Sequence, residues 1–468
     1  MFYSISLLGR KNGFLDRSNL HKKSDDIPYN LKMEYTIKII YGIGVVILEK
    51  QNSKYRWVVF ATVLFSYLLI VSQRTAPGLI STQLMTDFGV TASTIGLLTS
   101  IQFLAYAGLQ IPIGILSDRF GPNVFLILGT ILNGLGTLIY SVAPNESILF
   151  LARFLVGVGD ATIWVNLVLI LSVWFKVNEF VGLLGLAGMT GSLGFLVATV
   201  PFSAWISWTG WRAPFLTVGI VLILWGVLLY YILVRKPRQM EKDQLIKVKS
   251  HEKVVVKREK TRVILRRIFS DRQAWATFLC HFGAVGTYVG FIGSWAVPYG
   301  MNIYDMTRSH ASQFIMIGLI GAIIGAPLTS WITGRIGSIK RPYIIVHVII
   351  LISWLAFILF DGKPPTSVLV VLFFLIGYGN GASALTFIIV RKSFDIRVVG
   401  VVSGFANTGG FLSAVLLPSI FGKVLDHFHS SDLSVGYHYG FIIPLIFSMI
   451  GLVGGCLIME KRLQKSNP

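Results

Sequence analysis

The chain has 468 residues, of which 54% are hydrophobic and only 13% charged, too apolar a mixture for a soluble globular protein. Its net charge of +20 does not signal nucleic acid, because the basic residues fall between hydrophobic runs instead of along one face, as positive cytoplasmic loops do. Two cysteines, Cys280 and Cys456, each inside an apolar run, exclude a disulfide framework and a metal spacing and read as small core residues.

The segment 1–56 is mixed and basic. Its one apolar patch, Ile39–Leu48, is too short to span a hydrocarbon core of about 30 Å. No small-residue cleavage site follows, so the segment reads as a cytoplasmic tail and not as a signal peptide. From Trp57 the apolar runs recur at spanning length, broken by Gly, Pro, Asn or charge, and predict helices over 57–85, 92–117, 122–142, 146–175, 178–205 and 211–234. A stretch dense in Lys and Arg, 235–272, interrupts them as a linker. Six more helices follow over 273–300, 308–334, 341–360, 366–392, 397–424 and 436–460, with 461–468 as a second tail. The expected fold is an all-α membrane protein with twelve transmembrane helices in two six-helix bundles, 57–234 and 273–460.

The halves repeat one another. Phe60-Ala61-Thr62-Val63-Leu64 answers Trp275-Ala276-Thr277-Phe278-Leu279, and Asp87 precedes the second helix as Asp305 precedes the eighth. Gly157-Val158-Gly159-Asp160 answers Gly377-Tyr378-Gly379-Asn380, and Met189-Thr190-Gly191 with Pro201 answers Asn407-Thr408-Gly409 with Pro418. Four matches in order, offset by nearly half the chain, imply a duplicated six-helix unit with its binding site near the midplane between the copies. The loops after helices two, six, eight and ten carry most of the basic residues, with Arg119, Arg335, Lys340, Arg341, Arg391, Lys392 and Arg397 among them, which predicts both termini in the cytoplasm. The alternate loops carry few, among them Arg308.

Within the helices a few polar residues stand out. Arg153 and Asp160 lie seven residues apart in the apolar run 150–175, so both fall on one face, and a carboxylate at membrane depth must face protein or water. Asp160 is the candidate proton carrier, since its proton affinity changes between a desolvated setting and one beside an arginine; the alternative is a permanent Arg–Asp pair. Arg153 either tunes that acid or anchors the outer helix end. Arg74 in helix one, on a face with Tyr67, Ile70 and Gly78, offers a planar fork suited to an oxyanion; its other readings are a structural pair and snorkelling. Thr99, Gln102, Tyr106 and Gln110 form a polar stripe on helix two that lines a cavity or packs helices. In the second half Tyr288, Asn380, Ser383 and Asn407 offer uncharged contacts, and His281 stands alone as a core or interfacial residue. The glycines from Gly182 to Gly194 are packing surfaces, and no Walker, Rossmann or zinc pattern is present, so no cofactor, no metal and no enzymatic centre is expected.

Gly114-Ile115-Leu116-Ser117-Asp118-Arg119-Phe120-Gly121-Pro122 resembles the signature between helices two and three of the major facilitator superfamily. The resemblance implies that Asp118 and Arg119 form a gating ion-pair and helix-end latch, with Gly121 permitting the tight turn. Arg153 followed by Gly157 and Gly159 is similar to the superfamily's helix-four signature, and the likeness runs from about Trp57 to the end. More narrowly, Arg74, Tyr106 and Asp160, with Gln110-Ile111-Pro112, resemble the anion:cation symporter group, except that Gln73 stands where an acid often precedes the helix-one arginine.

The combined expectation is a proton-coupled symporter of a small organic anion in the plasma (inner) membrane, working by alternating access as a monomer, with a small-molecule substrate, protons and the lipid bilayer as partners. Arg74, Gln102, Tyr106, Tyr288, Asn380 and Asn407 would contact substrate, Asp160 and Arg153 would serve coupling, and Asp118, Arg119 and Gly121 would gate. Rival readings are a transporter of a neutral or zwitterionic solute such as an amino acid or nucleoside, a drug/proton antiporter, and a membrane sensor without flux. Indifference to charge reversal at Arg74 would favour the first two, and ligand binding without flux the third.

Overall fold

The computed structural model describes residues 50–74, 80–90, 92–239, 259–428 and 433–460. Residues 1–49 of the tail predicted over 1–56, residues 240–258 of the linker predicted over 235–272 and the last eight residues lie outside the described residues, as do Gly78 and the side chains of Thr99 and Arg308. Those described form one compact unit.

Twelve of the described helices are long and apolar enough to cross a membrane, and the chain is an integral membrane protein. In chain order they are α1 (Arg56–Arg74), α2 (Ser100–Phe120), α3 (Pro122–Val142), α4 (Glu146–Trp174), α5 (Val177–Val197) and α6 (Arg212–Gln239). The second half has α7 (Arg272–Ser294), α8 (His310–Ile336), α9 (Lys340–Leu359), α10 (Thr366–Ser393), α11 (Val399–Phe428) and α12 (Leu433–Leu457). The first predicted run divides, with a separate short helix at Ser81–Phe88. The seventh changes at Trp295, after which Ala296–Tyr304 forms its own helix. Inside the predicted linker lies a further helix, Thr261–Phe269, with Arg262, Arg266 and Arg267 exposed and Ile268 buried. Its Phe269 ring packs on Phe405 of α11 at 5.3 Å between centroids. Cys280 is buried, whereas Cys456 faces outward and is no core residue.

The repeat is visible in the packing. In the first half α1 packs on α5, α2 on α4, and α3 on α4 and α6; in the second α7 packs on α11, α8 on α10, and α9 on α10 and α12. The paired glycines carry it at atomic scale. A methyl on Gly157 would sit 2.5 Å from the Gln102 carbonyl oxygen of α2, and one on Gly159 2.6 Å from the Gly129 carbonyl oxygen of α3. Their counterpart Gly377 abuts the Gly318 backbone of α8 in the same way, while Gly379 faces the Ile350 side chain of α9. In a membrane, where water does not drive helices together, such backbone contact supplies the dispersion energy that does.

The two halves meet chiefly through α2 against α11 and α5 against α8. A methyl on Gly114 of α2 would meet the Gly400 carbonyl oxygen at 2.5 Å, and one on Gly185 of α5 would meet Ser330 Oγ of α8 at 2.7 Å. Arg391 of α10 adds a hydrogen bond to the Ser172 carbonyl of α4 at 3.2 Å. All three contacts lie toward the Asp118 end, where the halves touch one another.

Candidate functional site

Of the twelve spans α4 is the most buried, and it is capped at its start by Asn145, whose side chain accepts from the Ile148 N–H at 3.1 Å. It carries Arg153 and Asp160 into the interior, each 1% exposed. Around Asp160 three donors converge from three helices. Arg74 Nε of α1 lies 3.1 Å from Oδ2, Gln102 Nε2 of α2 lies 2.7 Å from the same oxygen, and Asn133 Nδ2 of α3 lies 2.7 Å from Oδ1. An acceptor-only carboxylate uses such a donor set fully. The Arg74 guanidinium also lies over the Tyr106 ring, 5.1 Å from its centroid, which adds about 0.5–2 kcal/mol of cation–π attraction.

Arg153 shares the face of Asp160 but makes no ion pair with it. One of its terminal nitrogens donates to Gln102 Oε1 and to the Arg74 carbonyl oxygen, and the guanidinium stacks over Tyr140 at 5.4 Å. Its Nε is buried without a partner. Gln102 thus joins the two, accepting from Arg153 through its oxygen and donating to Asp160 through its nitrogen. Among the described residues the cluster holds two buried guanidinium groups and one carboxylate.

Four of the six predicted substrate contacts come together here. Arg74, Gln102 and Tyr106 surround Asp160, and Asn407 of α11 reaches in from the other half, its Nδ2 2.9 Å from the Tyr106 hydroxyl and 2.8 Å from Gln110 Oε1. Tyr288 and Asn380 do not join them. The Tyr288 hydroxyl is buried without a partner against α8, and the Asn380 side chain makes no hydrogen bond among the described residues. His281, expected to stand alone, lies 3.2 Å from Asn407 Oδ1 through Nε2. Asn133 was missed, although a lone amide in the apolar run of α3 was the available signal. Gln73, which stands where an acid often sits, bonds Asn133 Oδ1 and so supports the carboxylate's third donor.

Where the halves touch, Asp118 accepts from the backbone N–H groups of Gly400 and Val401 at 2.9 and 2.8 Å. These belong to the first turn of α11, where unsatisfied donors and the helix dipole favour a negative charge. Asp118 and Arg119 form no ion pair with each other among the described residues, because their directions differ. Asp118 turns to α11, while Arg119 bonds Thr261 Oγ1 at the start of the extra helix. Gly121 adopts φ +92°, a conformation that favours glycine, and starts α3 ahead of Pro122. Asp118→Asn replaces two charge-assisted bonds by at most one neutral acceptor, so the contact between the halves should lose about 1.5–3 kcal/mol. Spin labels on the ends of α2 and α11 should then show a separated population at least about 10-fold larger; an unchanged distance distribution would rule out a latch.

A profile of the Major Facilitator Superfamily matches residues 63–418. This chain belongs to that superfamily. It is accordingly a membrane transporter and not an enzyme. Among curated relatives, the uncharacterized transporter YybO of Bacillus subtilis is 23% identical over 415 residues, covering 86% of this chain and 94% of the relative. The probable sulfoacetate transporter SauU of Cupriavidus necator is 23% identical over 401 residues, covering 82% and 90%. The fucose:proton symporter FucP of Escherichia coli superposes with a TM-score of 0.64 at 15% identity, covering 87% of this chain and all of that one, which places the twelve helices in the major facilitator fold.

Proposed function

We propose that this transporter is a proton-coupled symporter of a small organic anion. The observation that carries the reading is the buried cluster of Arg74, Arg153 and Asp160, in which one cationic charge has no carboxylate among the described residues. An uncompensated charge in a low-dielectric interior costs several kcal/mol, and an entering oxyanion removes that cost. The name of the Cupriavidus relative, a probable transporter of sulfoacetate, points to the same substrate class.

Coupling follows from competition for Arg74. While Asp160 is ionised it holds the Arg74 Nε. A proton on Asp160 weakens that hold and frees the guanidinium fork for the substrate, and by reciprocity substrate and proton favour each other's binding. A monoanion entering with one proton leaves the site's charge as it was, so this exchange moves no net charge. Tyr106 and Asn407 complete the site from both halves, and Arg153 with Gln102 orients Asp160. Release of the Asp118 latch opens the end where the halves touch. With the basic loops inside, that end is cytoplasmic, both termini are cytoplasmic, and the monomer sits in the plasma membrane.

Purified protein in liposomes with an acidic exterior should accumulate radiolabelled sulfoacetate or another small organic acid above equilibrium, and a protonophore should collapse the gradient. Uptake indifferent to the proton gradient would sink the coupling, and uptake of neutral amino acids with no competition by organic anions would sink the substrate class.

A further inference from the structure

A chain of hydrogen bonds runs from the anion site into the second bundle, and two backbone carbonyls settle the orientation of every group in it. The side-chain nitrogen of Gln110 lies 3.2 Å from the Tyr106 carbonyl oxygen and 3.3 Å from that of Ala161. Carbonyls only accept, so this atom is the amide NH2, and Gln110 Oε1 turns toward α11. Oε1 also only accepts, so the Asn407 atom 2.8 Å away is Nδ2, which spends its second hydrogen on the Tyr106 hydroxyl oxygen at 2.9 Å. That leaves Asn407 Oδ1 facing His281 Nε2 at 3.2 Å, and an acceptor there requires a hydrogen on Nε2. His281 is therefore the Nε2–H tautomer, with Nδ1 buried and unpartnered.

The imidazole has little freedom to do otherwise. It is 4% exposed, stands edge-on to Phe387 at 5.1 Å, and is pressed against Gly410, where a methyl group would come within 2.6 Å of its Cδ2. At the far end of the chain the Tyr106 oxygen has accepted from Asn407, so the phenol keeps its own hydrogen to give, beside the Arg74 guanidinium.

We propose that His281 is a positioning residue for the anion site: its Nε2–H holds Asn407, and Asn407 turns the Tyr106 hydroxyl to donate to the oxyanion held at Arg74. This rests on the reading of that site as an anion site. The second bundle then contributes to affinity through a directed donor, although none of its residues in the chain is charged.

Two measurements on the full-length protein decide it. The first is 15N NMR of histidine-labelled protein in nanodiscs, with His281→Gln for assignment. The signal lost in the variant should show a hydrogen on Nε2 and none on Nδ1; the opposite tautomer or a doubly protonated ring would overturn the proposal. The second is a double-mutant cycle on sulfoacetate uptake. His281→Leu should raise KM about 5- to 10-fold with kcat changed less than about 2-fold, as loss of one directed bond does. His281→Gln, which retains an N–H, should recover most of it. In a Tyr106→Phe background His281→Leu should add nothing, because the donor it positions is gone. An equal effect in both backgrounds marks His281 as merely structural and overturns the proposal. If the parent protein carries no organic anion, the functional reading fails, and the tautomer still decides the orientation of the chain.

Discussion

Asp160→Asn is expected to reduce proton-driven accumulation of the substrate to equilibrium while leaving exchange of labelled for unlabelled substrate across the membrane. The amide has nearly the shape of the protonated acid, so the site can still fill and rock, but it has no proton to give up or recover. Gln102 and Asn133 donate to different oxygens of Asp160, so the amide leaves an acceptor for only one of them, and Arg74 loses its charged partner. The loaded form is thereby mimicked and the empty return made independent of protons. Two liposome assays separate the outcomes: uphill uptake under an imposed pH gradient, and counterflow with no gradient. Uphill uptake by the variant equal to the parent's would remove Asp160 from the coupling step, and loss of both activities would make it structural.

Arg74→Leu should abolish saturable uptake. The substitution strips the oxyanion of its fork and strands Asp160, 1% exposed, with amide donors alone. Removing one partner of a buried pair costs about 3–5 kcal/mol, a factor of roughly 150 to several thousand in binding. Arg74→Lys keeps the charge but loses the planar fork and the stack on Tyr106, so it should restore only part of the affinity. Thermal unfolding of the same variants tells a binding loss from a folding loss, since a ligand stabilises only a protein that binds it. Uptake by the leucine variant within about 3-fold of the parent would exclude Arg74 from the site, given what such a pair is worth.

The fold was legible because a bilayer imposes its thickness on the sequence, and the duplication was legible because backbone contact at Gly157 and Gly377 admits no side chain. Asp160 announced itself through the cost of a buried charge. Its neighbours did not. Asn133 and Gln73 are uncharged, and their meaning depends on α1 and α3 meeting at one oxygen, 60 residues apart along the chain. The partner of His281 lies 126 residues away, beyond the reach of any local pattern. The helix Thr261–Phe269 was hidden by its setting, because its three arginines continue a run dense in Lys and Arg and its five apolar residues are too short a stretch to cross a membrane. Arg153 was legible as a buried charge but not in its direction, since the turn toward Gln102 and Tyr140 instead of Asp160 is a matter of rotamer.

The contact between Asp118 and α11 is lopsided in what it leaves to heredity. One side is the carboxylate of Asp118, and the other is two main-chain N–H groups, which nineteen of the twenty amino acids would present equally. At 400 that freedom is cancelled, because any side chain would collide with the carboxylate, so glycine is required there. At 401 proline, which lacks the N–H, would unfasten the contact, and the buried Val401 side chain must also fit its packing. The contact therefore depends on one carboxylate, that of Asp118, and on two glycines, Gly114 and Gly400, whose missing side chains let the backbones of α2 and α11 approach.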